Sequence, residues 1–272
     1  MRRIPRLWSA LLPALACWAA GPANDFQFAI VGDRTGGPRR EIYAQVWEEV
    51  DRFRPDFVIN VGDTIQGVED ATAEAQWREI RGFLDKYKRY PFFLVPGNHD
   101  IWSSFSERLF ERENGRPASY SFDHQNAHFV VLDTSRSQDL TPGALQFLEE
   151  DLKRNRGREP AFVFFHHPAW LALVKLQSRA FPLHRLAREY GVDYVISGHG
   201  HTFIHMVLDG VTYMGVGSSG ANIGDVWTAE DRFAAGRFYH HVRARVKGPK
   251  AQFTVKELDP PFGKGRAFIA GQ

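Results

Sequence analysis

Five short apolar runs set the rhythm of the chain: Phe28-Ala29-Ile30-Val31, Phe57-Val58-Ile59-Asn60-Val61, Pro91-Phe92-Phe93-Leu94-Val95, Phe162-Val163-Phe164-Phe165 and Tyr194-Val195-Ile196-Ser197. Each is rich in aromatic and branched residues and too short for a helix, so each reads as a buried strand. Between them the apolar period changes. Ile42, Val46, Trp47 and Val50 fall at helical spacing in a segment from about Glu41 to Phe53, which Pro55 stops. Trp77, Ile80 and Leu84 mark a second helix from about Thr72 to Tyr87, and a third is expected from Ile101 to Glu113. Thr141-Pro142-Gly143 starts a fourth that runs to about Arg154, with Thr141 as N-cap and Pro142 at the first helical position. Ala169 to Gln177 reads as an apolar loop or short helix, and Phe181 to Tyr190 as a helix capped by Gly191.

Strands dominate elsewhere. Ser119–Phe122 and His128–Leu132 form an expected pair, and Thr202–Leu208, Val211–Val216, Arg237–Val246 and Gln252–Leu258 read as antiparallel strands. Asp209-Gly210 is a hairpin signal. Early alternation of strands and helices followed by mostly strands predicts an α/β fold of two packed mixed sheets flanked by helices. With no internal repeat or dividing linker, residues 24–258 are expected to form one domain, followed by a Gly/Pro-rich tail over 259–272.

The chemistry sits where the five runs end. Their carboxyl ends carry Gly32-Asp33-Arg34, Gly62-Asp63, Gly97-Asn98-His99-Asp100, His166-His167 and Gly198-His199-Gly200-His201. In open α/β sheets ligands bind in the crevice outside those ends. Carboxylate, amide oxygen and imidazole together suit Mn, Fe or Zn, and the absence of thiolates argues against a structural zinc. Five or six such ligands overfill one ion and serve two. Two ions about 3.5–4 Å apart can clamp the attacking and leaving oxygens of an in-line displacement, which is the chemistry of phosphoester hydrolysis.

These motifs, in this order from about Phe26 to Val216, resemble those of the calcineurin-like metallophosphoesterase superfamily, to which purple acid phosphatases and cyclic-nucleotide phosphodiesterases belong. The resemblance implies a four-layer α/β/β/α sandwich. It implies that Asp63 bridges two metal ions, that Asn98, His166 and His199 complete one site, and that Asp33 and His201 serve the other. It selects His166 over His167 as ligand. It makes His99 the imidazole beside the leaving group, oriented by Asp100, with a metal-bridging hydroxide as nucleophile. One motif departs: the usual Asp-x-His is here Asp33-Arg34-Thr35, and the tyrosine that purple acid phosphatases supply three residues after the bridging Asp is here Gln66. Thr35 or Gln66 then offers at best a weak oxygen, and Arg34 is expected to compensate by binding phosphate through its planar fork. The same departure opens the alternative of a metal-binding scaffold with a degenerate site. Thr35 is its motivation, and the presence of His99 and Asp100 speaks against it.

The first residues change the charge balance. Met1 to Arg6 is basic, Leu7 to Ala20 apolar, and Ala19 to Ala23 small, the pattern of a secretory signal peptide over residues 1–23. The expected location is therefore periplasmic or secreted. Cys17 opens the alternative of a lipid anchor, against which Ala14-Leu15-Ala16 fits poorly. Without the three leader arginines the chain carries 31 basic and 32 acidic residues, which leaves no basic footprint for nucleic acid. The apolar leader is too short for a comfortable transmembrane helix, and none is expected in the mature chain. The expected partner is a small-molecule phosphoester. His124, His128, His184, His240 and His241 fall outside the strand-end pattern and are expected to be structural.

Overall fold

A computed structural model describes residues 24–225 and 228–271. The leader and Cys17 lie outside those residues. Two six-stranded sheets form the centre. The first has the order β12-β11-β10-β1-β2-β3, with β1 Asp25–Val31, β2 Phe57–Asn60, β3 Phe92–Leu94, β10 His240–Lys247, β11 Lys250–Glu257 and β12 Ala267–Ile269. The second has the order β4-β5-β6-β7-β9-β8, with β4 Tyr120–His124, β5 Ala127–Val131, β6 Ala161–Phe164, β7 Tyr194–Ser197, β8 Ile204–Leu208 and β9 Val211–Gly215. β1, β2 and β3 are mutually parallel, as are β5, β6, β7 and β9, while β10, β11, β12, β4 and β8 pair antiparallel with their neighbours.

The apolar runs are continuous because both faces of each strand are covered. Along β1, Phe28 and Ile30 face the opposite sheet, whereas Ala29 and Val31 pack under helices. The inter-sheet layer is aromatic. Phe93 stacks on Phe122 with centroids 3.8 Å apart, and the rings continue through Phe129, Phe162 and Tyr194. α1 (Arg40–Phe53), α2 (Asp70–Leu84) and α3 (Ser104–Asn114) cover the outer face of the first sheet, with Val46, Trp47, Trp77 and Phe110 buried against it. α4 (Pro142–Arg154), α5 (Leu171–Lys175) and α6 (Pro182–Tyr190) cover the second, through Leu148, Val174 and Leu183. The result is the expected four-layer α/β/β/α sandwich.

Local signals behave as their chemistry dictates. Thr141 Oγ1 accepts the Ala144 N–H and caps α4. Asp209 and Gly210 both take positive φ in the β8–β9 hairpin, as a type I′ turn requires. Three segments differ from the expected pattern. The Gly/Pro-rich tail is not separate from the sandwich: β12 pairs with β11 at the edge of the first sheet. A short helix, α7 (Ala229–Ala234), is capped by Thr228, whose hydroxyl accepts the Asp231 N–H. α3 begins three residues later than expected, at Ser104, because Ser103 and Ser106 form a capping box there.

Candidate metal centre

The parallel strands of both sheets deliver their carboxyl ends to one place. β1, β2 and β3 lead into Asp33, Asp63 and Asn98-His99; β6 and β7 lead into His166 and His199-Gly200-His201. The sheets touch there: the Asp33 N–H donates to the Gly217 carbonyl at 2.9 Å, and Asp33 forms an isolated parallel bridge with Ser218. The Gly217–Gly220 loop therefore braces the Asp33 turn, with Ser219 Oγ accepting the Gly32 N–H. Asp63, His199 and His201 all sit in the left-handed region, at φ 57°, 66° and 47°. Non-glycine residues take that conformation at a cost that the surrounding structure must offset, and such residues cluster at functional sites. Gly97 and Gly198 allow the turns to close. A Cβ on Gly97 would collide with Asp63 Oδ1 and its backbone nitrogen, and one on Gly198 would lie 2.5 Å from Asp33 Oδ1.

Two overlapping ligand sets result. Asp63, His166 and His199 form one, Asp33, Asp63 and His201 the other, and the ligand atoms within each lie within 4.8 Å of one another. Asp63 belongs to both, the position of a bridging carboxylate. Asn98 joins the first, its Oδ1 3.1 Å from His199 Nδ1. His166 donates Nδ1–H to the Val61 carbonyl at 2.8 Å, and His201 donates Nδ1–H to the Asn222 carbonyl at 2.8 Å. Those bonds fix the tautomers and turn Nε2 inward. His166 Nε2 then lies 3.3 Å from Asp63 Oδ2, and His201 Nε2 lies 3.4 Å from Asp33 Oδ2. Both Asp33 oxygens and His166 Nε2 are buried without a hydrogen-bond partner. Orphaned acceptors of this kind are costly to bury and fit a group that draws electron pairs. Carboxylates and imidazoles converging in this way match a hard-to-borderline divalent or trivalent ion.

The same groups perturb one another strongly. Burial, reinforced by Asp63 and opposed by His166, raises Asp33 well above the carboxylate range. Burial also works against ionisation of Asp63, but His166 and His99 outweigh it and bring that carboxyl down to about 2. Burial disfavours a charged His166, yet Asp63 and Asp33 hold it up, at about 10. Burial, then His166 and His167, push His199 down to about 4. Neighbouring groups forced this far apart mark a functional cluster.

Two expected roles are corrected. Asp100 does not orient the His99 ring. Its Oδ1 accepts the N–H groups of Thr64 and Ile65 and its Oδ2 that of Gly97, so it ties the second and third strand-end turns together. The His99 ring is held instead by Gln66, whose carbonyl accepts Nδ1–H at 2.5 Å, while the His99 backbone N–H donates to Asp63 Oδ1 at 3.0 Å. Arg34 is not presented to phosphate. Its guanidinium donates to the Thr64 carbonyl at 3.1 Å and to Glu79 at 2.8 Å, and it lies over the Tyr43 ring. In the departing motif, the Thr35 hydroxyl donates to Gln66 Oε1, so the two weak oxygens satisfy each other.

The supporting role of Gln66 is carried by its backbone, which no side-chain pattern announces. The five histidines expected to be structural are accounted for away from the centre. His128 lies between Asp123 and Asp151, His184 meets Tyr213 and Asp209, His240 meets the Phe238 carbonyl, His241 meets Glu49, and His124 packs on Phe26 and Phe57. Trp170 is core, its Nε1 donating to Ser197 Oγ. His167 stays outside both ligand sets, in line with the choice of His166. Burial and the neighbouring His166 push its pKa below the ordinary value.

Comparison with known proteins agrees with the geometry. The family model for calcineurin-like phosphoesterases matches residues 26–203. A glycerophosphodiester phosphodiesterase, GpdQ, of Enterobacter lignolyticus is 31% identical over 129 residues, an alignment covering 43% of each chain. The match thus spans less than half the length of that relative. A purple acid phosphatase from yellow lupin (Lupinus luteus) superposes with a TM-score of 0.65 at 14% identity, covering 92% of this chain and 54% of that one. GAP50, the anchor in the inner membrane complex of Plasmodium, superposes with a TM-score of 0.63 at 15% identity, covering 90% and 88%. At such identities the two structures bear on the fold alone. Sequence match, two-sheet architecture and ligand sets converge, and the chain belongs to the calcineurin-like phosphoesterase family.

Proposed function

We propose that the protein is a dinuclear metal-dependent phosphoric ester hydrolase acting on a phosphomonoester or phosphodiester. The observation that carries this reading is the sharing of Asp63 between two ligand sets, with His99 fastened to the same carboxylate. Asp63, Asn98, His166 and His199 would hold one ion, and Asp33, Asp63 and His201 the other, with Mn, Fe or Zn suiting these donors. When bound, such ions draw charge from phosphoryl oxygens and make water a better nucleophile at neutral pH. The chain's own groups do the rest. His166 and His201 are locked in one tautomer by backbone carbonyls. His99 gives Nδ1–H to Gln66, which leaves Nε2 for the leaving oxygen, and the doubly protonated ring would pass its Nε2 proton there. Asp100 holds the turns that aim Asp63 and His99.

Export belongs to the same proposal. The basic-apolar-small order of residues 1–23 supports it, and amino-terminal sequencing of the protein recovered from outside the cytoplasm tests it. No helix among the described residues is long and apolar enough to cross a membrane.

The competing reading is a metal-binding scaffold. The Thr35–Gln66 pair favours it, because it stands where a further strong ligand would be. Metal-loaded protein incubated with p-nitrophenyl phosphate and bis(p-nitrophenyl) phosphate decides. Turnover of either ester, lost on chelation, supports the enzyme. Full metal occupancy without hydrolysis of either would sink it in favour of the scaffold.

A further inference from the structure

His167 is the histidine at the centre that neither the ligand sets nor the proton-passing role of His99 uses. Its backbone N–H donates to Thr134 Oγ1 at 3.0 Å, and its Nδ1–H donates to the Thr134 carbonyl at 2.6 Å. A carbonyl can only accept, so this bond fixes the tautomer and leaves the lone pair on Nε2. Among the described residues Nε2 has no hydrogen-bond partner. The ring lies 4.2 Å, centroid to centroid, from the ring of the ligand His199. Both rings line a cavity of about 560 Å³, which Asp139, Ala169, Leu171 and Lys175 also wall. That volume is ordinary for a small-molecule site.

The lining has a definite chemistry. His167 Nε2 and the Asp139 carboxylate are acceptors, Lys175 is a donor, and the Gln138 amide is both. Ala169 and Leu171 offer apolar wall between them. Acceptors interleaved with donors suit hydroxyl groups, which both donate and accept. His199 is at once a candidate metal ligand and part of this wall, so the cavity opens directly beside the metal centre.

We propose that this cavity seats the alcohol of the ester, that His167 Nε2 accepts a hydrogen bond from a hydroxyl of that alcohol, and that the protein therefore prefers phosphoesters of polyols over those of simple alkyl alcohols. This rests on the phosphoesterase reading. It makes His167 a specificity-determining contact, distinct from the proton-passing His99.

The test compares matched esters on the metal-loaded full chain: 2,3-dihydroxypropyl phosphate against propyl phosphate, and the methyl diester of each. Wild type is expected to favour the hydroxylated ester in kcat/KM by roughly tenfold, the worth of one neutral hydrogen bond. His167→Phe should bring that ratio near one, and His167→Gln should restore part of it, since its amide oxygen reaches the place of Nε2. Hydrolysis of the two nitrophenyl esters by the same preparation checks the underlying reading; its absence sinks both. Nitrophenyl turnover with a wild-type ratio near one, or an undiminished ratio in folded His167→Phe, overturns the polyol proposal alone. Should His167→Phe fail to fold by circular dichroism, the wild-type ratio and His167→Gln decide.

Discussion

Asp63 is the residue that the two candidate ligand sets share. One oxygen accepts the His99 N–H, the other faces His166 Nε2, and the carboxylate is shared by both ligand sets. Asp63→Asn keeps the size and a hydrogen-bond acceptor but removes the charge. We expect a folded protein that binds fewer ions, by elemental analysis, and turns over at least about a hundredfold more slowly, the scale of lost acid-base and metal catalysis. Unchanged stoichiometry and rate would remove Asp63 from the mechanism. The convergence of the candidate ligands was legible in the chain because each follows a buried apolar run, and a parallel strand can present its end in only one crevice. The direction of the side chains was not. His99 and Asp100 are adjacent in sequence, yet the turn points one toward Gln66 and the other into backbone N–H groups. Arg34 reads as a phosphate ligand by position, and only the packing of α2 against the first sheet reveals Glu79 as its partner.

At the scale of the element, His128 joins three pieces. It sits on β5, its Nδ1 is 2.7 Å from Asp123 on β4, and its Nε2 is 2.6 Å from Asp151 on α4. Burial opposes the charged ring, but the two carboxylates outweigh it and raise His128 above its ordinary value. Burial likewise opposes ionised Asp151, but His128 and Ser121 outweigh it and lower that group. The signs set the window. The His128 contribution is complete below its unfolded pKa of about 6.5 and is lost as pH rises through the higher folded value. The Asp151 contribution is complete above about 3.9 and is lost as pH falls through the lower folded value. His128→Gln should therefore cost most, about 2 kcal/mol, between roughly pH 4 and 6.5. Its cost should shrink in alkaline buffer. Urea titrations of both proteins across pH check this, and a pH-independent difference would show that the ring acts by packing alone. The elements missed in the chain have a common cause. β12 is three residues of otherwise Gly/Pro-rich tail, and α7 is six residues held by one Thr228 cap, so neither carries enough periodic apolar residues to announce itself.

The whole molecule is two sheets that share an aromatic interior and meet at one end through the ligands. Asp33, Asp63 and Asn98 come from the first sheet, and His166, His199 and His201 from the second. Ions held there cross-link halves of the sandwich that are far apart in sequence. Metal removal should therefore act on global stability as well as on turnover. A ligand that binds only the folded state contributes about 2.7 kcal/mol at a hundred times its Kd. For a domain of this size that is roughly 5–10 °C in Tm. Calorimetric scans of metal-loaded protein should show a loss of about that amount on adding a chelator. The same chelator should shift Asp63→Asn much less, because the shared ligand is gone. Equal shifts in both proteins would mean that ions stabilise the chain somewhere else. No shift in either would mean that the buried, unpartnered oxygens of Asp33 and the inward Nε2 of His166 are balanced without metal, and the dinuclear reading would lose its structural ground.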